Sequence, residues 1–183
     1  MKYFIGAFLV VVLITGYFLN KSNKEDAERL KQAEVAYQEK LNTEKHESDI
    51  GVKIKEIQSK IEMDEAIARK IIESEKIPDE GKRFYADISS RWADSIKVAT
   101  STPRTSLAQP VAELQKIKRE LEERKPLNPC DEIMKHNVYM SFDYAIDGFL
   151  DFMKNNEYGA NTKSDLSNEY AKKSSILIDY CYA

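Results

Sequence analysis

The stretch of sequence that decides the fold is residues 128–153, NPCDEIMKHNVYMSFDYAIDGFLDFM. Asn128 is a favoured helix N-cap, Pro129 suits the first helical position, and the acids that follow favour the positive end of a helix dipole. The apolar side chains recur at helical spacing: Ile133, Met134, Val138, Met140, Tyr144, Ala145, Phe149, Phe152 and Met153. We therefore predict a long, largely buried helix that ends at Asn155-Asn156.

Two helices are predicted upstream of this stretch. The first runs between the turn sequences IPDEG at 77–81 and TSTP at 100–103, and its apolar face is rich in aromatic residues, with Trp92 as a core position. The second follows Ser106, which we assign as its N-cap, and has Pro110 in its first turn, where the missing N–H costs little.

One more helix is predicted downstream, where a polar link containing Gly159 leads to Asn161 or Thr162 as the N-cap. Only six glycines and five prolines occur in 183 residues, and 32% of the residues are charged, which is typical of an all-helical protein. We predict an all-α chain in which residues 78–183 form four helices, packed most simply as an antiparallel up-down bundle.

The N-terminus carries a long apolar run, Tyr3–Leu19, which has seventeen residues and no charge. A helix of that length spans roughly 25 Å, close to the lower limit for a bilayer core. No A-x-A-like cleavage site follows it, and Tyr3 and Tyr17 suit the two membrane interfaces. We predict a signal anchor or transmembrane helix over residues 1–20, and a cleaved export signal is the alternative.

Residues 21–77 are predicted to form a charged, amphipathic helical stem. Two apolar stripes run along it: Leu30, Ala33, Tyr37 and Leu41, and then Ile50, Ile54, Ile57 and Ile61. We expect the helix to be interrupted between the stripes, at residues 46–51, and the second stripe to continue weakly through Ala68 and Ile71. The stem either packs on its own domain or acts as a coiled-coil stalk that makes the chain a homo-oligomer.

The flanks of the apolar run give conflicting signals on orientation. Positive residues are more numerous after the run than before it, which favours a cytoplasmic C-terminal side. A head of two residues, however, is that of an ordinary export signal, and the cysteines favour an oxidising compartment. We predict a single-pass inner-membrane protein with a periplasmic C-terminal domain, and the alternative is a cleaved periplasmic protein.

The two cysteines lie at the ends of the predicted helical hairpin. Cys130 begins the third helix of the bundle and Cys181 nearly ends the fourth, so the two residues meet at one end of an antiparallel pair. We predict an intramolecular disulfide, which would contribute about 4 kcal/mol in the chain-entropy model. Two buried free thiols and an intermolecular bridge are the alternatives.

Several short motifs of this sequence resemble motifs that occur together in one group of proteins. They are the STPR turn at 101–104, Leu114-Gln115, the Pro129-Cys130 helix start and the sequence GFLDF at 148–152. The segments that carry them, 96–121 and 128–153, cover roughly a third of the chain, and they resemble an uncharacterised group of exported bacterial helical proteins. That group has no known activity, so the resemblance implies a helical domain of the bacterial envelope and nothing more.

Catalytic and metal-binding patterns are absent from the sequence. Neither His46 nor His136 has a partner at ligand spacing, and the chain contains no G-x-S-x-G, phosphate loop or haem-attachment motif. Asp143 and Asp147 share a helix face, but such acids usually belong to a solvated surface. A net charge of −3 gives no basic surface for nucleic acid. We predict a protein that is not an enzyme and needs neither metal nor cofactor.

The aromatic residues of the C-terminal half supply the functional hypothesis. We predict an interaction surface, here called the tyrosine-rich surface, composed of Tyr139, Tyr158, Tyr170, Tyr180, Arg91 and Arg104. Tyrosine and arginine dominate protein-binding hot spots, so the first hypothesis is a membrane-anchored envelope domain that binds another protein. One alternative is a ligand-binding or sensory bundle with a pocket lined by Tyr144, Phe149, Phe152 and Tyr170. Another is a phage or envelope lysis or immunity factor.

Overall fold

The computed structural model describes the backbone of residues 2–182 and the side chains of residues 26–182. Over this range the chain forms α-helices and one 3₁₀ turn, without a strand: α1 Lys2–Lys60, α2 Glu65–Glu73, α3 Asp79–Ser101, the 3₁₀ turn Arg104–Ser106, α4 Ala108–Glu123, α5 Pro129–Met153 and α6 Glu157–Cys181. The prediction of an all-α protein is confirmed. The predicted anchor, Tyr3–Leu19, lies outside the residues with described side chains, and among those residues no helix is apolar and long enough to cross a membrane.

The chain divides into two compact units, Met1–Gly51 and Val52–Ala183. The first unit contains the larger part of α1, which continues through residues 46–51 although the sequence predicted an interruption there. That prediction is wrong because a single glycine costs a helix only about 1 kcal/mol. Of the first apolar stripe, Leu30, Tyr37 and Leu41 are all exposed.

The second unit begins with the last turns of α1 and the short helix α2. Ile54, Ile57 and Ile61 are buried, as their spacing predicted. The stripe does not continue as one helix, because α1 ends at Lys60 and Asp64 caps a new helix by accepting a hydrogen bond from the Ala66 amide at 2.8 Å. Helix α2 packs against both α5 and α6.

Helix α4 packs on α3, and α5 packs on α4. The Arg91 guanidinium on α3 donates two hydrogen bonds to Glu120 on α4, at 2.7 and 2.6 Å. Lys118 on α4 donates to the Asp143 carboxylate on α5 at 2.6 Å. The prediction of Ser106 as the N-cap of α4 is wrong. Ser106 is the last residue of the 3₁₀ turn, and Leu107, the next residue, is the N-cap of α4.

The link between α5 and α6 is shorter than the sequence predicted. The Asn128 cap at the start of α5 is confirmed, since its side chain accepts a hydrogen bond from the Asp131 amide at 2.9 Å. After α5, Asn155 adopts a left-handed conformation with φ of 61°, which asparagine tolerates. Asn156 then caps α6, so the predicted start at residue 161 or 162 is wrong.

Helices α5 and α6 form the closest antiparallel pair in the second unit. Gly148 lets them approach, because a Cβ at this position would lie only 3.3 Å from the Ala160 carbonyl oxygen. Near the middle, the hydroxyls of Ser141 and Ser167 each donate to the backbone carbonyl of the other residue, at 3.0 and 2.8 Å. At the far end, Cys130 and Cys181 are joined with a Cα–Cα distance of 5.7 Å, which confirms the predicted disulfide.

Candidate functional site

An open groove runs between α3 and α6, over the face of α5. The pair of α3 with α6 is not among the closely packed helix pairs of residues 52–182, although α3 packs on α4 and α6 packs on α5. Two cavities of about 550 Å³ and 410 Å³ occupy the space between them. Both are lined by Trp92 on α3, Ser141 on α5 and Ala171 on α6, so they are two parts of one depression. We call it the α3–α6 groove.

The floor of the groove is one stripe of α5. It consists of Met134, Val138, Ser141, Ala145, Gly148 and Phe152. These positions recur at alternating spacings of four and three, which keeps them on one side of a helix. The stripe covers nineteen residues from first to last, which is eighteen helical steps and therefore about 27 Å.

The wall contributed by α6 follows the same spacing but carries small side chains. Along that spacing lie Ala160, Ser164, Ser167, Ala171, Ser174 and Ile178, and Asn161, Asn168 and Ser175 line the wall beside them. Six of these nine residues are alanine or serine, so α6 presents little side-chain volume towards α3. The groove stays open in front of α3 because the α6 wall supplies few side chains large enough to fill it.

Trp92 is the most distinctive side chain of the groove. Its ring stacks on the Phe142 ring, with centroids 3.7 Å apart and planes 6° from parallel. Phe142 is buried, whereas Trp92 is half-buried, packs against the core and also lines both cavities. Since it is the only tryptophan in the chain, its fluorescence reports on this groove alone.

The charged side chains that line the groove are positive. Within the described residues, the charged side chains that line it are Lys82 at one end and Arg104 at the other. Among the residues with described side chains no carboxylate lines it, although the chain has 31 acidic residues. Lys82 forms an ion pair with Asp79 at 3.6 Å and Arg104 pairs with Glu157 at 3.3 Å. Both acids are highly exposed, so these pairs hold the cations only weakly.

Hydrogen bonds tie the two sides of the groove together at its ends. Near the start of α3, the Ile77 amide donates to the Cys181 carbonyl at 2.8 Å, and the Lys82 ammonium donates to the Tyr182 carbonyl at 3.0 Å. At the other end, the Arg104 guanidinium hydrogen-bonds the Asn155 side chain and lies over the Phe152 ring, 4.1 Å from its centroid. The groove is therefore bridged at both ends and open between them.

A buried carboxylate supports the end of the groove near Lys82. Asp131 is fully buried and accepts hydrogen bonds from the Arg124 guanidinium at 2.7 Å, the Tyr85 hydroxyl at 2.7 Å and the Leu127 amide at 2.8 Å. Tyr85 itself lines the groove. The sequence indicated only that Asp131 faces the helix dipole, because nothing local shows that a tyrosine 46 residues away meets it.

The protonation states in this cluster follow from burial and hydrogen bonding. Burial alone would raise the pKa of the Asp131 carboxyl, but the hydrogen bonds from Arg124, Leu127 and Tyr85 outweigh it and lower that pKa. Burial, together with the bond to the Asp131 carboxylate, raises the pKa of the Tyr85 hydroxyl well above its usual range. Asp131 is therefore ionised and Tyr85 neutral near pH 7, and the cluster is an ion pair rather than a proton-transfer site.

The residues of the predicted tyrosine-rich surface lie at separate places. Tyr139 and Tyr170 line a different groove of about 880 Å³, beside His136. It is lined by both acids and lysines, and Lys70 and Glu132, for example, pair at 3.2 Å. This mixture of both charges gives that groove no clear preference for a ligand of either sign.

The other members of that surface are placed elsewhere. Tyr180 donates to the Glu56 carboxylate at 2.9 Å, Tyr158 is 85% exposed near the start of α6, and Arg91 is engaged with Glu120. Arg104 belongs to the α3–α6 groove.

The pocket expected between the helices is only partly assembled. Of its four residues, Phe149 and Phe152 line the α3–α6 groove, whereas Tyr144 stacks on Tyr170 with ring centroids 5.7 Å apart. No group of three or more His, Cys, Asp or Glu side chains within the described part of the chain is arranged to hold a metal ion.

Comparisons of the chain with protein-family models, with curated proteins and with solved structures give no match. The shape and chemistry of the α3–α6 groove are therefore what indicate its function. The groove has three main properties: a largely apolar floor about 27 Å long, a wall of small side chains, and a cation at each end.

Proposed function

We propose that this protein is a non-enzymatic, membrane-anchored helical domain of the bacterial envelope that acts by binding another protein. In this proposal, residues 1–20 hold the chain in the inner membrane and helices α3 to α6 form an up-down bundle in the periplasm. The Cys130–Cys181 disulfide supports an oxidising compartment, because such bonds persist outside the cytosol. The observation that carries the binding function is the open α3–α6 groove.

The shape of the groove favours a protein segment as its occupant. Helix-binding proteins commonly present an apolar groove between two helices, into which a third helix lays its apolar face. The α5 floor is as long as a helix of about five turns. The contacts between α3, α4, α5 and α6 leave one edge of the proposed bundle open. A docked helix would cover the exposed sides of Trp92 and Phe152.

A small apolar ligand is the second candidate, and one observation favours it. The larger cavity of about 550 Å³ falls within the size range of small-molecule sites and contains Arg104 as a single cationic group. The groove is open along its length, however, and a small ligand would leave much of its own surface in water. Protein binding therefore remains the better explanation of the whole groove.

Site-specific photo-crosslinking in living cells tests this proposal. A benzophenone amino acid replaces Ser89, which lines the groove, or Ser90, which is equally exposed on the same helix but lies outside it. We expect an adduct with a discrete protein from position 89 and none from position 90. Ala171→Arg, which places a large side chain on the opposite wall, should abolish that adduct.

Three results would contradict protein binding in the groove. They are identical crosslinking from positions 89 and 90, an adduct that persists with Ala171→Arg, and labelling of lipid or small molecules alone. The last result would favour the second candidate.

A further inference from the structure

We infer that the partner segment is a single amphipathic helix of another protein, about eighteen residues long, with large apolar side chains on one face and an acidic residue near each end. This inference rests on the proposed function and specifies the partner that the groove would accept.

The length follows from the floor and the ends. The floor stripe from Met134 to Phe152 measures about 27 Å as a helix, and the bridging contacts of Lys82 and Arg104 stand at its two ends. A helix that fills the groove without disturbing these contacts has about five turns. Longer partners would have to leave the groove at both ends.

The side chains of the partner follow from the shape of the walls. Both the α5 floor and the α6 wall repeat at spacings of four and three, which is the pattern that accepts side chains from a nearly parallel or antiparallel helix. Because α6 contributes mainly alanine and serine, the large side chains must come from the partner. Leucine, methionine or phenylalanine at the same spacing would fill the volume next to Trp92.

The charge of the partner follows from the lining of the groove. Lys82 and Arg104 are the charged groups among its described lining residues, and they lie at opposite ends. Their present partners, Asp79 and Glu157, are 85% and 76% exposed and are free to turn towards water. A carboxylate near each end of a docked helix would meet these cations, and a lysine there would be repelled.

Titration of the purified full-length protein with designed peptides, followed by Trp92 fluorescence, tests the inference. One peptide is an eighteen-residue helix with leucines at spacings of three and four and a glutamate near each end; its counterpart has lysines at those two positions. We expect the acidic-ended peptide to shift the Trp92 emission and to bind at least ten-fold more tightly at low salt. Added salt should reduce this difference.

Variants assign the binding to the groove and to its cations. Ser89→Phe should block binding, and Ser90→Phe should leave it unchanged, since only position 89 lines the groove. Lys82→Gln and Arg104→Gln should each lower the affinity for the acidic-ended peptide by two- to five-fold, because partly exposed ion pairs contribute little. Lys97→Gln, on the exposed side of α3, is the matched control and should have no effect.

Four outcomes would overturn the inference. Equal affinity for the two peptides, both blocked by Ser89→Phe, would refute the acidic ends but leave a helix-binding groove. Absence of peptide binding, with a Ser89-specific crosslink in cells, would refute the helix and leave the proposed function standing. Saturation of the groove by dodecanoate at lower concentration than by either peptide would assign it to acyl chains. Tighter binding of a peptide of residues 26–43 of this chain would assign it to a second copy.

Discussion

Removal of one partner from the Asp131–Arg124 pair should be among the most damaging single changes in the second unit. The side chain of Asp131 is 0% exposed and that of Arg124 is 12% exposed, so solvent screens their attraction little. Loss of one member of a buried ion pair typically costs about 3–5 kcal/mol, because the remaining charge stays buried without its partner. The two possible deletions differ in what they leave behind.

Arg124→Met should lower the free energy of unfolding by about 3 kcal/mol, the lower end of this range. The Asp131 carboxylate still accepts hydrogen bonds from the Tyr85 hydroxyl and the Leu127 amide in this variant. Asp131→Leu should cost about 5 kcal/mol, the upper end of this range, because it leaves the buried guanidinium without its carboxylate and the Leu127 amide without an acceptor. The Tyr85 hydroxyl keeps only its longer hydrogen bond to the backbone carbonyl of residue 131, at 3.1 Å. The double variant buries no unpaired charge, so it should cost less than the sum of the single changes by about 1–3 kcal/mol.

Urea unfolding of the purified protein, followed by far-UV circular dichroism, measures these differences. Arg91→Met is the control, because Arg91 also joins a carboxylate of a neighbouring helix, at 2.6 Å, but its side chain is 44% exposed. The control should cost at most about 1 kcal/mol. If Arg124→Met costs no more than Arg91→Met, the buried pair does not stabilise the fold and the reasoning fails.

The same cluster sets a pH dependence. The pKa of Asp131 is lower in the folded protein than its ordinary value of 3.8, so the folded state favours the ionised form. The stabilisation is therefore present above the unfolded-state pKa and is lost as the pH falls through the folded-state pKa. Urea midpoints measured between pH 7 and pH 2 should fall more steeply for the wild type than for Asp131→Leu; parallel curves would contradict this assignment.

Three further results are expected. Cys181→Ser should lower the melting temperature by roughly 10 °C or more, because the bridge spans 51 residues and contributes about 4 kcal/mol; two free thiols in native protein would contradict the bridge. Gly148→Ala should change stability by less than about 1 kcal/mol and Gly148→Val should cost about 1–3 kcal/mol, because α6 lies against this position; equal urea midpoints would show that the contact is loose. If residues 1–20 are a retained anchor, the protein should resist alkaline carbonate extraction, and a soluble form that starts near residue 17 to 21 would argue for cleavage.

Local signals in the sequence were sufficient for most helix boundaries. Asn128 followed by proline and two acids correctly marked the start of α5, and the turn at 77–81 correctly separated α2 from α3. One error arose where two residues could serve the same purpose. Asn156 caps α6 instead of Asn161, and sequence alone cannot rank two asparagines five residues apart.

Contacts between distant helices could not be derived from the sequence in the same way. The apolar stripes of α5 and α6 were visible, but their spacing does not say which neighbour covers each stripe or whether one edge stays open. The burial of Asp131 depends on Tyr85 and Arg124, which come from two other elements. The sequence indicated a binding surface of tyrosines, whereas alanine and serine are the commonest residues that line the groove itself, and their presence in a helical protein is not unusual.

The same contacts explain how an open groove can persist in a small helical unit. An edge with small side chains on one of its two helices would ordinarily close or splay, because few side chains in its centre hold the helices at a fixed distance. Here the end of α6 is tied to α5 by the disulfide and to the segment before α3 by the Ile77 amide, while Arg104 joins the start of α6 at the opposite end. The width of the groove is thus set at its ends, and its centre remains available to a partner.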